Sequence, residues 1–169
     1  MNPQPTGCVE SGTHLVLERA FRAPVPAVWA AVTEPGRLAR WFGTWTGDPA
    51  SGRVSLVMTA EGQTEPEPVL IRRCDPPVHL ALTLPGGGEE WLLELDLREH
   101  DGGSTLRLAQ QFTGPADLAS IGPGWEYYLD RLVAAESGGD PGAVDFERDY
   151  HPAMAGYYEA LGPQLRFPA

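Results

Sequence analysis

The chain has 169 residues, the length of one ordinary domain, and 42% of them are hydrophobic, which is enough for a packed core. Its formal net charge of −11 opposes contact with phosphate backbones and with anionic membrane surfaces, so we expect neither a nucleic-acid nor a membrane partner. The sequence also lacks an apolar run of the ~20 residues that cross a bilayer.

The first residues carry no targeting signal. Residues 1–13 contain neither a basic n-region nor an apolar h-region, and we predict that they form a disordered tail. Cys8 and Cys74 lie far apart, so a disulfide framework is not expected and a reduced, cytoplasmic setting fits. Lys is absent while Ala, Gly, Pro and Arg are frequent, a bias typical of GC-rich bacterial genomes.

The first predicted elements are a strand and two short helices. His14–Phe21 alternates apolar and mixed positions, which predicts a strand with Arg19 in the phase of its apolar side chains. After the Ala-Pro-Val-Pro of residues 23–26, apolar residues recur with helical spacing up to Val32. A second short helix follows Pro35 and brings an apolar set to one side: Leu38, Trp41 and Phe42.

From Gly43 the apolar period changes from that of a helix to the period of two that marks strands. Five strands are predicted at short spacing: one opened by Ser51-Gly52, and others over 69–74, 78–84, 90–98 and 105–112. Because short turns join them, we expect an antiparallel meander, and the strand at the N-terminus brings the total to about six.

Helical spacing returns in the last third of the chain. A short turn is predicted up to Ile121, a break at residues 122–124, and then an amphipathic helix beginning at Trp125. The glycine-rich stretch 137–142 ends that helix, and a final amphipathic segment is predicted over 152–161.

Several of these segments resemble one known superfamily. Residues 17–29, with an Ala-Pro and a Val-Trp after a strand, resemble the opening of the START-like or SRPBCC superfamily. The Arg-Trp-Phe-Gly of 40–43, the Asp-Pro-Pro of 75–77 and the helix 124–132 resemble its branch named after the heat-shock-protein-90 ATPase activator. The co-chaperone that names the branch has an additional N-terminal domain without a counterpart here, so its chaperone role is not expected to carry over.

The element order and the resemblance, which covers roughly residues 15–161, predict the same fold. It is an α+β, Bet v 1-like helix-grip domain over residues 14–163. A curved antiparallel sheet of about six strands wraps around a long C-terminal helix, with two short helices after the first strand and an extra helix at the C-terminus.

Such a fold leaves room for an apolar pocket between sheet and helix, and the large inward-facing side chains are its candidate lining. We expect a small apolar or amphipathic ligand there, and the alternative is that these side chains simply fill the core. The candidates are Trp41, Phe42, Trp45, Met58, Trp91, Leu93, Leu108, Gln110, Phe112, Trp125, Tyr128 and Leu129.

Three polar side chains share inward phases. Gln110 and Tyr128 would bond either a ligand or a group inside the protein, and Arg19 would meet an acidic ligand or extend to solvent. The four histidines are scattered without a metal-binding spacing, and Cys74 lacks a nucleophile motif. We therefore expect no metal, no cofactor and no recognisable catalytic residue.

Three functions remain open from the sequence. Binding of a small hydrophobic molecule is favoured, since no catalytic constellation is visible. A polyketide cyclase or aromatase would need at least two of Arg19, Gln110 and Tyr128 together in one cavity. A chaperone- or regulator-binding module would use the acidic surface and the segment after Ser137, which could also form a homodimer contact.

Overall fold

The computed structural model describes residues 2–86 and 88–168, and its main feature is one curved antiparallel sheet. The spatial order of the strands is β1-β2-β8-β7-β6-β5-β4-β3. The strands are β1 Cys8–Glu10, β2 His14–Phe21, β3 Thr44–Thr46, β4 Arg53–Val57, β5 Glu67–Asp75, β6 His79–Pro85, β7 Glu90–His100 and β8 Gly103–Gln111.

Five helices accompany the sheet, and the longest of them, α3, lies along its concave face against β2. They are α1 Val25–Thr33, α2 Pro35–Leu38, α3 Leu118–Glu136, α4 Phe146–Asp149 and α5 Ala155–Leu161. In addition, α1 contacts β7, β8 and α3, and α5 packs on α3. The predicted α+β architecture, with a curved antiparallel sheet and a long C-terminal helix, is confirmed.

The register of the central strands places their apolar residues on the concave face. Leu95 of β7 lies opposite Leu80 of β6 and Leu108 of β8, so three leucines form a row across the sheet. Alternation along each strand repeats this row every second residue, because successive side chains point to opposite faces. The core therefore lies between this face and the helices.

A β-bulge changes which side chains of β5 face inward. Ile71 lies opposite Leu82, but Cys74 lies opposite Leu80, with the register shifting between Ile71 and Arg73. The extra residue reverses the phase of the strand from that point on. As a result Cys74 joins the concave face, and Arg73 does not.

The sheet has eight strands where about six were predicted. The two additional strands, β1 and β3, have three residues each, too few for an alternation to be visible in the sequence. The pairing of β1 with β2 also differs from the prediction of a disordered tail over 1–13, since Val9 lies opposite Leu15. Met1, part of that predicted tail, lies outside the described residues.

Helix α3 is continuous where the sequence predicted a break. Pro123 lies inside it and is fully buried, although proline removes a backbone donor and disfavours a helix interior. Packing explains the difference: a Cβ on Gly122 would lie 2.1 Å from Cδ1 of Tyr158, so α5 sits directly on this turn of α3. The tertiary contact thus overrides the local preference of the Gly-Pro-Gly sequence.

In the part of the chain that the structure describes, no helix is both long and apolar enough to cross a membrane.

Candidate functional site

An apolar space of about 190 Å³, here called the inner cavity, lies between the concave face of the sheet and helices α1 and α3. None of the described side chains that line it is charged. They are Val32, Thr33, Leu38, Trp41, Phe42, Trp45, Pro49, Val54, Leu56, Val69, Ile71, Cys74, Leu80, Leu82, Leu84, Leu93, Leu95, Leu106, Leu108, Trp125 and Leu129.

Two tryptophans at one end of the cavity are held by the last turn of α1. The indole N–H of Trp41 donates to the carbonyl of Ala31 at 2.9 Å, and that of Trp45 donates to the carbonyl of Thr33 at 2.7 Å. The last carbonyls of a helix have no partner within it, and a buried indole N–H needs an acceptor. The two hydrogen bonds satisfy the carbonyls and the indole N–H groups at once, and they hold the two rings toward the cavity.

The inner cavity reaches the surface beside β5. Pro49 and Cys74 belong to its lining and are exposed, while Trp45 and Ile71 are partly buried. Burial, and next the charge of Asp75, raise the pKa of the Cys74 thiol, so it stays protonated at neutral pH. The described residues that line the mouth of the cavity are therefore uncharged.

A second, wider space of about 610 Å³, here called the outer groove, adjoins the inner cavity. Phe42, Leu84 and Trp125 line both spaces, so these three side chains form the boundary between them. The remaining lining residues of the outer groove are Met58, Ala60, Glu61, Gln63, Glu67, Pro85, Gly86, Trp91, Ser120, Ile121, Gly124, Tyr127, Tyr128 and Phe146.

Tyr128 connects the groove to the segment after β4. Its hydroxyl donates to Oε1 of Glu61 at 2.6 Å. Burial, this hydrogen bond and the charge of Glu61 raise the pKa of Tyr128 well above its ordinary value. The phenol is therefore a neutral donor at any physiological pH, and its proton is already engaged.

Gln110 faces inward as its phase predicts, but its partner is a side chain of the protein. Its Oε1 accepts a hydrogen bond of 2.7 Å from the indole N–H of Trp125. Gln110 and Phe112 line neither the inner cavity nor the outer groove. The inward orientation was correct, and the contact with Trp125 could not be inferred because the two residues lie on different elements.

The structure distributes the other predicted pocket residues between the two spaces. The inner cavity includes Trp41, Phe42, Trp45, Leu93, Leu108, Trp125 and Leu129, and the outer groove includes Met58, Trp91 and Tyr128. These positions show which space each side chain lines. That the side chains contact a ligand stays a prediction.

Arg19 also faces inward, and it meets two acidic side chains of α3. Its Nη2 lies 2.5 Å from Oε2 of Glu126, and its Nε donates to Oδ1 of Asp130 at 2.9 Å. Burial alone would lower the pKa of Arg19, but the charge of Asp130 and the bonds to Glu126 outweigh it and raise that pKa. The acidic groups that bind Arg19 are thus Glu126 and Asp130 of the same chain.

The buried Glu126 is the centre of this group, which we call the buried polar cluster: Thr6, Arg19, Glu126, Asp130, Tyr150 and Tyr158. Tyr158 donates its hydroxyl to Oε1 of Glu126, and the backbone N–H of Thr6 donates to the same oxygen at 2.5 Å. Tyr150 donates to Oδ2 of Asp130 at 2.6 Å. Sequence reasoning missed this cluster, and its one available signal was that an inward Arg19 requires a buried acid.

The buried polar cluster joins both ends of the chain to α3. Gly7 donates its N–H to the hydroxyl of Tyr158 at 3.0 Å, and its carbonyl accepts from Tyr157 at 2.7 Å. The residues before β1 and the segment after Ser137 are therefore held on the face of α3 that points away from the cavity.

Neither the metal-binding nor the catalytic arrangements weighed from the sequence are assembled. Within residues 2–86 and 88–168, no three His, Cys, Asp or Glu side chains are grouped so that they could hold a metal ion. Arg19 is bound to α3, Gln110 to Trp125 and Tyr128 to Glu61, and the inner cavity includes none of the three.

Comparison with solved structures shows where else this architecture occurs. CalU16 from Micromonospora echinospora is 26% identical, with 95% of this chain and 96% of that chain covered and a TM-score of 0.69. A Bordetella parapertussis protein encoded by gene BPP1335 is 21% identical, with 99% and 96% covered and a TM-score of 0.67. DynU16, titled a putative protein in the dynemicin biosynthetic locus, is 22% identical, with 76% of this chain and 49% of that chain covered and a TM-score of 0.59.

Comparison with curated proteins finds no match. A family model does match: the one described as "Activator of Hsp90 ATPase homolog 1-like protein" covers residues 22–136, more than half of the chain. The matched segment extends from the end of β2 to the last residue of α3 and so includes every described residue that lines the inner cavity. The chain therefore belongs to the Activator of Hsp90 ATPase homolog 1-like family, and the resemblance to that branch of the START-like superfamily is confirmed.

Proposed function

We propose that this protein binds a small apolar molecule in the inner cavity. The observation that carries the proposal is a space of about 190 Å³ whose lining has no charged side chain. Protein interiors are close-packed, and voids larger than a water molecule are few in a domain. A cavity of this size in the centre of the fold therefore supports a binding role.

The volume and polarity of the cavity define the ligand's apolar part. An apolar cavity of about 150 Å³ stays free of water and takes up benzene. A space of about 190 Å³ lined by leucines and tryptophans therefore suits a group slightly larger than one aromatic ring, or a short alkyl chain. A longer ligand would extend past Phe42, Leu84 and Trp125 into the outer groove.

The state of the polar side chains favours binding over catalysis in this cavity. In the described part of the chain, every buried side-chain nitrogen or oxygen atom has a hydrogen-bond partner. No such group is left in the cavity to polarise a carbonyl or transfer a proton. The cyclase alternative needs at least two of Arg19, Gln110 and Tyr128 in one cavity, and each is bound to a different partner.

The segment after Ser137 gives little support to a regulator-binding role. Tyr150, Met154 and Tyr158 bury the apolar side of this segment against the rest of the chain, with exposed fractions of 3%, 2% and 0%. Most of its large apolar side chains are therefore already buried within the fold, with Tyr157 as an exposed exception at 43%.

A matched pair of substitutions on β5 tests the proposal. Ile71 lines the inner cavity, whereas Leu70 lies opposite Thr83 on the other face and is 36% exposed. A neutral fluorescent probe, N-phenyl-1-naphthylamine, is titrated into wild type, Ile71→Trp and Leu70→Trp; one of its two ring systems would occupy the inner cavity and the other would extend into the outer groove. We expect Ile71→Trp to weaken probe binding at least about tenfold, because the larger side chain occupies the cavity, and Leu70→Trp to bind as wild type does.

Circular dichroism on both variants separates loss of binding from loss of folding. Native mass spectrometry of the protein purified from its own host adds the identity of any retained molecule. Equal probe affinity in folded Ile71→Trp and in wild type, or no probe binding by wild type, would refute the proposal.

A further inference from the structure

We infer that the ligand is a hydrophobic amine or quaternary ammonium compound, with its apolar part in the inner cavity and its cationic group in the outer groove beside Glu61. The inference rests on the proposed function and adds the chemical class of the ligand. Three features of the outer groove support it: its aromatic walls, the sign of its charges and its position next to the inner cavity.

Aromatic rings form one wall of the outer groove. Trp91 and Trp125 lie with ring centroids 5.9 Å apart, Trp125 and Tyr128 6.4 Å apart, and Tyr127 and Tyr128 5.2 Å apart. All four belong to the groove's lining. The faces of such rings carry negative potential and attract ammonium groups, which is how aromatic sites recognise quaternary amines.

The charges on the groove have one sign. Among the described residues that line it, the charged ones are Glu61 and Glu67, and neither Lys, Arg nor His is included. Arg131 lies near, with its guanidinium 5.4 Å from the Tyr127 centroid, but its Nε donates to the Trp41 carbonyl and its Nη1 to the Pro141 carbonyl. That guanidinium keeps its charge and covers one face of Tyr127, so the positions that favour a second cation are those beside Glu61 and the other three rings.

Glu61 retains an oxygen for such a cation. Tyr128 donates to Oε1, while Oε2 has only Gln63 Nε2 at 3.5 Å, the limit of a hydrogen bond. The bond from Tyr128 holds the carboxylate beside the hydroxyl end of this ring. An ammonium group placed there would contact a carboxylate oxygen and ring faces together.

The boundary with the inner cavity explains why the cation would be attached to an apolar group. Phe42, Leu84 and Trp125 contact both spaces, so a molecule that passes them has one end in an uncharged cavity and the other in an acidic aromatic groove. The two ends of the site therefore suit the two ends of an amphipathic cation.

The experiment compares three probes with the same chain: octyltrimethylammonium, octanol and octyl sulfate, each displacing N-phenyl-1-naphthylamine. We expect the ammonium compound to bind about tenfold more tightly than octanol, and octyl sulfate to bind most weakly. Equal affinities for the ammonium compound and octanol would overturn the inference while leaving the proposed function intact. Failure of all three, together with no effect of Ile71→Trp on probe binding, would reject the proposed function itself.

Matched variants distinguish a local site from the general attraction of a chain with net charge −11. Glu61→Gln removes the charge and retains an oxygen for Tyr128, while Glu65→Gln removes an exposed charge close by on the same segment and outside the groove's lining. We expect Glu61→Gln to lower the affinity for octyltrimethylammonium several-fold without changing that for octanol, and Glu65→Gln to change neither. An equal loss in both variants would mean that the preference is long-range electrostatics, and the inference would be wrong.

Discussion

Two faces of α3 differ in almost every physical respect. Trp125 and Leu129 face the inner cavity, where no side chain is charged and about 190 Å³ is not filled by protein atoms. Glu126 and Asp130, one residue further along the chain in each case, face the buried polar cluster, where Arg19 binds both. A rotation of about 100° around the helix separates the two environments.

The difference shows where this fold requires complete pairing and where it leaves space unfilled. A buried carboxylate is costly unless it is paired and hydrogen-bonded, so the buried polar cluster must be completely assembled. Glu126 is fully buried and has Thr6, Arg19 and Tyr158 as partners. On the cavity side, an incompletely filled apolar space lacks only dispersion contacts, which a ligand can supply.

The largest expected effect comes from removing the cation of the polar face. Arg19→Met leaves Glu126 buried without its counter-charge, and we expect a loss of about 3–5 kcal/mol in the free energy of unfolding, measured with urea. Arg22→Met, at an exposed position just after β2, should stay within about 0.5 kcal/mol of wild type.

A double variant shows whether that loss comes from the unpaired charge. Arg19→Met with Glu126→Gln keeps an oxygen for Thr6 and Tyr158 and removes the charge, so most of the stability should return. A double variant no more stable than Arg19→Met alone would mean that packing, and not charge, dominates this face.

Alkaline pH should weaken the fold through three tyrosines. Burial and nearby carboxylates raise the pKa of Tyr128, Tyr150 and Tyr158 above the unfolded value of 10.0. Each contribution is complete below pH 10 and is lost as the pH rises above it, because the unfolded state then releases a proton that the folded state keeps. We expect the unfolding free energy to fall by about 1.4 kcal/mol per pH unit for each tyrosine.

Urea unfolding at pH 9, 10 and 11 measures this slope. Tyr158→Phe should reduce it by the contribution of one tyrosine, about 1.4 kcal/mol per pH unit. Absorbance at 295 nm should show these three phenols ionising only on unfolding. A slope above pH 10 that Tyr158→Phe does not change would contradict the assignment.

The hydroxyl of Tyr158 should contribute about 1–3 kcal/mol at neutral pH. Tyr158→Phe removes one donor to Glu126 and the nearer of two acceptors of the Gly7 N–H, which keeps Glu126 Oε1 at 3.2 Å, and water has little access to this buried site. Tyr157→Phe is the matched control on the same helix, because Tyr157 is 43% exposed and water can replace its bond to Gly7. Equal losses of unfolding free energy in the two variants would mean that a hydroxyl in the buried polar cluster contributes no more to stability than one at the surface.

The smallest expected effect concerns the cavity side. Gln110→Leu removes the acceptor of the Trp125 indole N–H and should cost about 1 kcal/mol, seen as a small shift in the urea midpoint. Because Gln110 lies outside the inner cavity, the affinity for N-phenyl-1-naphthylamine should not change. A marked loss of probe binding with unchanged stability would instead assign Gln110 to the ligand.

Sequence patterns predicted the parts of this protein that depend on neighbours along the chain. The alternation in β2 and in β8 predicted that Arg19 and Gln110 face inward, because strand geometry alone determines that direction. The apolar stripe of α3 from Trp125 onward followed in the same way from helical spacing.

The tertiary structure decided which group each inward polar side chain pairs with. Arg19 and Glu126 are 107 residues apart in the chain, and no local pattern marks Glu126 as buried. The same holds for the continuation of α3 through Pro123, which depends on Tyr158, and for the inward position of Cys74, which depends on a bulge. The sequence by itself determined the fold class and the direction of side chains in regular elements; only contacts between distant segments decided which polar groups pair with one another and where apolar space is left unfilled.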